Sequence, residues 1–299
     1  MSTRASGVRI WLQLFRAPNL FTVPGDPLAG YLVANSGFVD WRLPVVIFAS
    51  LCFYAAGLLM NDLADVAEDR LERPTRPLPS GAAAPGTVRL VLWSLNAMGL
   101  AALAGTAQPA AFIAGLAVVA GVWSYNRVTK RIPVLGALNM GACRAGSVLI
   151  GAFAGPLVTW QMGLIPAAMI GLYIAAVTHL ARYETHPRVP VIARLLPFVA
   201  LLLTVPKVVS YALLAPAKSS AAVLLGAAGV WVLWLAICMF KRPAPFLPPL
   251  IGAHIRVLLV LQAAICWFAD PWEIGPWAAA VLLAMWPIST LVSRRFYAS

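Results

Sequence analysis

Residues 43–81 read LPVVIFASLCFYAAGLLMNDLADVAEDRLERPTRPLPSG. From Leu43 to Met60 no side chain is charged, close to the roughly 20 apolar residues a membrane-crossing helix needs. The same helix then ends in acid: five of the chain's ten carboxylates, Asp62, Asp65, Glu68, Asp69 and Glu72, fall within eleven residues. A rigid basic loop follows, Arg73-Pro74-Thr75-Arg76-Pro77-Leu78-Pro79-Ser80-Gly81. One stretch therefore predicts both a membrane helix and the chemistry at its mouth.

The rest of the 299-residue chain repeats the apolar half of that pattern. It is 61% hydrophobic and 11% charged, whereas soluble domains hold about 25% charged residues. Ten apolar runs are expected to span: 10–34, 43–62, 87–106, 109–125, 134–155, 161–180, 190–213, 221–240, 248–268 and 275–292. The connections are short and no linker, repeat or low-complexity tract intervenes, so residues 1–299 read as one all-α, polytopic membrane bundle. The first run is too long for a cleavable signal peptide, contains Pro18, Pro24 and Pro27, and precedes more membrane sequence.

The net charge of +12 reads as topology, because the bases sit between apolar runs; no nucleic-acid partner is expected. With the N-terminus inside, one set of ends carries Arg4, Arg9, Arg16, then Arg70, Arg73, Arg76, Arg89, then Arg127, Lys130, Arg131. Arg182, Arg188, Arg194, then Lys241, Arg242, then Arg294, Arg295 continue it. The opposite loops offer Arg42 and Lys218 beside Asp40, Asp270 and Glu273. This asymmetry predicts an inner or plasma membrane protein of a bacterium or archaeon, with both termini and the acidic cluster cytosolic.

On a helix, steps of three and four bring Asp62, Asp65 and Asp69 to one face. Carboxylates so close repel one another unless a cation sits among them. An oxygen-only set suits Mg²⁺, which bridges carboxylates to substrate phosphates. Arg73 and Arg76 can fork onto phosphate oxygens. The expected site is therefore metal–diphosphate rather than an ordinary solvated helix end.

The string NDLADVAEDRLERPTRPLPSG resembles the first aspartate-rich motif of the UbiA superfamily of intramembrane prenyltransferases, NDxxDxxxD followed by RPxRPLxSG. Arg16-Ala17-Pro18-Asn19 is similar to the family's RxxN. Tyr125-Asn126-Arg127-Val128-Thr129-Lys130-Arg131 resembles its Y-S/N-x-x-x-K-R element, and Asn139-Met140-Gly141-Ala142-Cys143-Arg144 its N-x-G-x-x-R stretch. The resemblance implies a helical bundle around a central cavity open to lipid. It implies prenyl transfer from a prenyl diphosphate, geranylgeranyl or similar. Asn61, Asp62, Asp65 and Asp69 then inherit Mg²⁺ and diphosphate, with the aspartates as metal ligands. Arg73, Arg76 and Lys130 inherit diphosphate contacts, and Asn19 and Tyr125 inherit cavity positions beside it.

Two departures stand out. The family's second motif, DxxDxxxD, falls on Ala175-Ala176-Val177-Thr178-His179-Leu180-Ala181-Arg182. With Arg182 in the last position, no carboxylate survives, and Glu184 would lie about 160° away on an unbroken helix. Arg182 could then touch diphosphate directly, with Thr178, His179 and His186 on its face and His179 as a proton carrier. Alternatively, Arg182 meets only lipid headgroups. The departure resembles a divergent, EboC-like subgroup. The family core also has nine helices against ten runs here, so either a helix is added near the C-terminus or a late run is re-entrant.

Ionisable residues inside spans usually face a cavity or a partner. Asp26 lies seven residues beyond Asn19, about 10 Å deeper on the same face, and Arg144 sits at similar depth. They are expected to pair, either structurally or to hold an acceptor. Lys207 is expected to snorkel, and His254 to sit at a polar interface. The single cysteines read as core filler. Trp41, Trp160, Trp272 and Trp277 read as an interfacial belt.

The expected reaction is Mg²⁺-dependent prenyl transfer to a lipophilic acceptor. The residues leave the acceptor, prenyl length and oligomeric state open. Rivals are a UbiA-type terpene cyclase and a non-catalytic isoprenoid-binding or transport-associated relic. A CDP-alcohol phosphotransferase is disfavoured, because DGxxAR with GxxxDxxxD is absent.

Overall fold

The structure, a computed structural model, describes residues 7–156, 159–184, 186, 189–213, 216–241 and 246–294. Every regular element among them is helical: α1 (Gly7–Leu14), α2 (Ala17–Leu20), α3 (Gly25–Ala34), α4 (Arg42–Ala64), α5 (Val66–Glu72), α6 (Pro85–Gly105), α7 (Pro109–Arg127), α8 (Pro133–Ala154), α9 (Leu164–Ala181), α10 (Val191–Leu213), α11 (Ser219–Cys238), α12 (Leu247–Ala269) and α13 (Ile274–Ser293). Single 3₁₀ turns lie at Thr129–Arg131, Trp160–Gly163 and Pro216–Lys218. Among the described residues, nine helices, α4 and α6 to α13, are long and apolar enough to cross a membrane. Helices satisfy their own backbone groups, which hydrocarbon cannot do. Prolines open α6, α7, α8 and α12, where the missing N–H has no helical partner to lose.

The expected run 10–34 is not continuous. It breaks first at Arg16, whose backbone is left-handed (φ 42), and again between α2 and α3. Pro18, Pro24 and Pro27 supply no N–H to carry the helical ladder through. The broken segment still runs the length of α4. Arg16 meets Asp62 at one end, and the Tyr31 hydroxyl bonds Asp40 at 2.7 Å just before the other. No late run is re-entrant: α12 and α13 are continuous through 23 and 20 residues.

The short α3 is the middle of the bundle, packed against α4, α8, α9 and α12. Its contact with α8 is backbone to backbone. A Cβ on Gly30 would fall 1.9 Å from the Val148 carbonyl oxygen, and one on Gly151 2.0 Å from that of Pro27. Small residues permit such approach where no water drives helices together. One apolar core joins α3 and α8 to α9–α13; another joins α4, α6 and α7 to the other side of α8.

Helix alternation places Arg16, Arg73, Arg76, Lys130, Arg182, Arg194 and Arg294 at the end bearing Asp62. Asp40, Arg42, Lys218, Asp270 and Glu273 go to the opposite end. Trp41, Trp160, Trp272 and Trp277 lie at that opposite end too, all exposed. Arg4, Arg188, Arg242 and Arg295 lie outside the described residues. Lys207 is exposed, and the four cysteines are free.

Candidate active site

The acidic stripe is not one helical face. α4 ends at Ala64, Asp65 forms the bend, and α5 restarts at Val66. Asp62 and Asp69 are buried, while Glu68 and Glu72 face solvent. Each aspartate of the motif meets a different cation. Arg16 from the first pass lies 3.3 Å from Asp62. Lys130, in the 3₁₀ turn after α7, pairs with Asp65 and donates to Asn61 Oδ1 at 3.2 Å. The Asn61 amide in turn donates to Asp65 Oδ2 at 3.0 Å. Arg76, in the loop after α5, donates from one nitrogen to both oxygens of Asp69, at 3.0 and 2.8 Å.

Among the described residues no three His, Cys, Asp or Glu side chains gather around one point; each aspartate of the expected metal set is held on its own cation. The physical reason is charge: neighbouring carboxylates need counter-ions, and three protein cations supply them one by one. The donors themselves, three carboxylates and an amide oxygen, fit Mg²⁺ by type.

Tyr125 stands half-buried within electrostatic range of Asp65, Arg16 and Arg182. Arg182, from the second half of the chain, is thus among the charges acting on Tyr125. Neither Arg182 nor Arg73 makes an ion pair among the described residues. At the α9 end, Thr178 and His179 lie in the last turn and Arg182 caps it. The helix stops there, so His186 and Glu184 are not on a shared helical register with Arg182. Instead His179, Tyr183 and His186 pile edge to face, with ring centroids 5.8 and 5.6 Å apart.

Deeper in, Asp26 and Arg144 do meet, Nε to Oδ2 at 2.8 Å, with Asp26 fully buried. Gln262 of α12 completes this cluster by donating to Asp26 Oδ1 at 2.7 Å. Between the cluster and the mouth, Asn19 hydrogen-bonds the Tyr54 hydroxyl, which lies in range of Arg16 and Arg144. Neither Gln262 nor Tyr54 was expected. The available signal was a lone amide inside the apolar run of α12. His254 is not at a polar interface: it is fully buried, with its Nδ1 3.2 Å from the Tyr173 hydroxyl. Two apolar crevices, about 370 Å³ between α4 and α6 and about 260 Å³ between α10 and α11, lie away from all of these residues.

The UbiA prenyltransferase family matches residues 27–247. A digeranylgeranylglyceryl phosphate synthase of Methanoculleus marisnigri is 32% identical over 177 residues, 58% of this chain and 59% of that protein; the chain spans about three fifths of that relative's length. The apo structure of a UbiA homologue from Aeropyrum pernix K1 superposes with a TM-score of 0.67 at 17% identity, covering 83% of this chain and 96% of that one. A UbiA homologue from Archaeoglobus fulgidus, bound to DMAPP and Mg²⁺, gives 0.50 at 14% identity, covering 94% and 98%. With a match that spans most of its length and carries the whole first acidic motif, the chain belongs to the UbiA prenyltransferase family.

Proposed function

We propose that this protein transfers a prenyl group from a prenyl diphosphate, geranylgeranyl or similar, to a lipophilic acceptor within the membrane. The observation that carries the reading is the set of three separate acid–cation pairs at one mouth. Every anionic ligand for a metal there already sits beside a cation suited to phosphate. Naming of relatives as digeranylgeranylglyceryl phosphate synthases, and a family structure holding DMAPP and Mg²⁺, support it.

Asp62, Asp65 and Asp69, with Asn61, would hold Mg²⁺, which when bound supplies positive charge against the diphosphate leaving group. Arg16, Lys130 and Arg76 exchange their carboxylate partners for phosphate oxygens as substrate enters. Arg73 and Arg182, bearing no ion pair among the described residues, add fixed positive charge where negative charge develops on the leaving group. Tyr125 and Asn19 border the same space and orient the diphosphate. The apolar interior takes the prenyl tail and keeps water from the allylic cation until the acceptor captures it. The basic excess at this end supports a cytosolic mouth.

The acid-free α9 end favours one rival, an isoprenoid-binding protein without turnover. Purified protein in detergent with Mg²⁺ and labelled prenyl diphosphates, with and without a membrane lipid extract, separates the two. Diphosphate release that Asp65→Ala abolishes supports the transferase. Tight binding without release would sink it.

A further inference from the structure

The broken first pass strands backbone carbonyls that a continuous helix would use. The Thr22 oxygen lacks its helical partner, because the Asp26 N–H bonds Val23 instead, at 3.3 Å. The Pro18 oxygen lacks its own, because the Thr22 N–H bonds Asn19 at 3.1 Å. At membrane depth such groups must find protein donors. Three other helices provide them. Gln262 Nε2 of α12 donates to the Thr22 oxygen at 2.8 Å as well as to Asp26. Arg144 of α8 donates to the same oxygen at 3.0 Å. Ser289 Oγ of α13 donates to the Pro18 oxygen at 2.9 Å.

These ties lead to the mouth. The Thr22 hydroxyl donates to the Asn19 carbonyl at 2.9 Å, Asn19 bonds Tyr54, and α2 begins directly after Arg16, which meets Asp62. α2 is one turn of four residues. So short a helix has no stability of its own, and its placement comes from what grips it. Gln262 is fully buried, and its amide presses so close to the backbone that a Cβ on Gly25 would fall 2.1 Å from its Oε1. Gln262 and Ser289 both lie beyond the 27–247 family match, as do the carbonyls they hold.

We propose that Gln262 is a positioning residue for the diphosphate end: by gripping Thr22 and Asp26 it sets the broken first pass, and through it Arg16 and Asn19. The inference rests on the prenyl diphosphate reading above. Gln262 is neutral, so its removal tests positioning without stranding a buried charge, as removal of Arg144 would.

The test titrates geranylgeranyl diphosphate with Mg²⁺ into the full chain in detergent. It compares wild type, Gln262→Met, Arg16→Gln and the double variant, with the thermal midpoint as a check on folding. Gln262→Met is expected to weaken binding about tenfold, as loss of an outer-shell partner does. In the Arg16→Gln background the further loss should stay under about twofold, since both act through one element. Unchanged affinity, or equal losses in both backgrounds, would overturn the proposal. Should Gln262→Met fail to fold, the Ser289 pair decides. Ser289→Ala should loosen binding about threefold, the worth of one hydrogen bond, and Ser289→Thr should restore it. Ser289→Ala matching wild type would then overturn the idea. A wild type that binds no prenyl diphosphate refutes the function itself, a result distinct from a wild type that binds and a variant that equals it.

Discussion

The ends of α4 and α9 lie at the same end of the bundle and carry opposite chemistry. α4 and its continuation bring Asp62, Asp65 and Asp69, each covered by its own Arg or Lys. α9 brings Thr178, His179 and an Arg182 that makes no ion pair among the described residues, and no acid in its last turn. The acidic end is therefore charge-balanced before any substrate arrives, while the α9 end holds positive charge in reserve. In the proposed reaction an entering diphosphate would meet exchangeable cations in Arg16, Lys130 and Arg76 and fixed ones in Arg73, beside them, and Arg182, at the α9 end.

The strongest way to break the comparison is to cut each end in turn. Asp62→Ala or Lys130→Ala should lower diphosphate release at least about 100-fold, the scale of removing a preorganised charge at a leaving group. Thr178→Ala should cost much less than that; equal losses at the two ends in the same assay would show that the asymmetry means nothing. Arg182→Gln comes next, with an expected loss of about tenfold in kcat/KM, at the low end for a charge-assisted contact. No change would leave Arg182 to the lipid headgroups.

A third prediction follows from the internal pairing. Mg²⁺ and diphosphate should bind cooperatively, because the metal alone must displace Arg16, Lys130 and Arg76 from their carboxylates. Calorimetry should find Mg²⁺ bound at least about tenfold more tightly when inorganic diphosphate is present, within the usual range of such coupling. Equal affinity in both titrations would mean that the pairs do not compete with metal.

The smallest effect lies at the other end of the bundle. Asp270 precedes α13 and accepts from the backbone N–H groups of Trp272, Glu273 and Ile274 at 3.1, 3.4 and 2.7 Å. Burial alone would raise its pKa, but these N–H groups, with that of Gly275, hold it below the ordinary carboxylate range. A depressed native value stabilises the folded state above the unfolded pKa of about 3.9, and that stability fades as pH falls through the native value. Asp270→Asn removes only the charge beside the α13 N-terminus and should thus cost about 0.5 kcal/mol near neutrality, read as a lower thermal midpoint, and the two proteins should converge in strong acid. The diphosphate chemistry should not move.

Much of this was legible from local pattern. The runs from 43 to 292 needed only hydropathy, and nine of them became membrane-length helices. The acidic cluster was visible in the composition, although the bend at Asp65 breaks the single face that its spacing implied. The Asp26–Arg144 contact needed only residue counting, because 1.5 Å per residue translates position into depth. What failed did so for identifiable reasons. The 10–34 run looked continuous by hydropathy, which does not register that Pro18, Pro24 and Pro27 together remove three ladder donors. The face shared by Thr178, Arg182 and His186 assumed a helix that stops at Ala181. His254 looked like an interface residue because its partner, Tyr173, is 81 positions away.

By itself, then, the sequence determined a polytopic helical membrane protein with one acidic mouth and a family to match, because burial in lipid and helical periodicity act over a few residues at a time. The tertiary structure alone decided which cation covers which aspartate, and that α12 and α13 hold the broken first pass. Those choices join Lys130 to Asp65 and Gln262 to Thr22 across 65 and 240 positions. Contacts of that range are set by packing and charge in three dimensions, and no local pattern carries them.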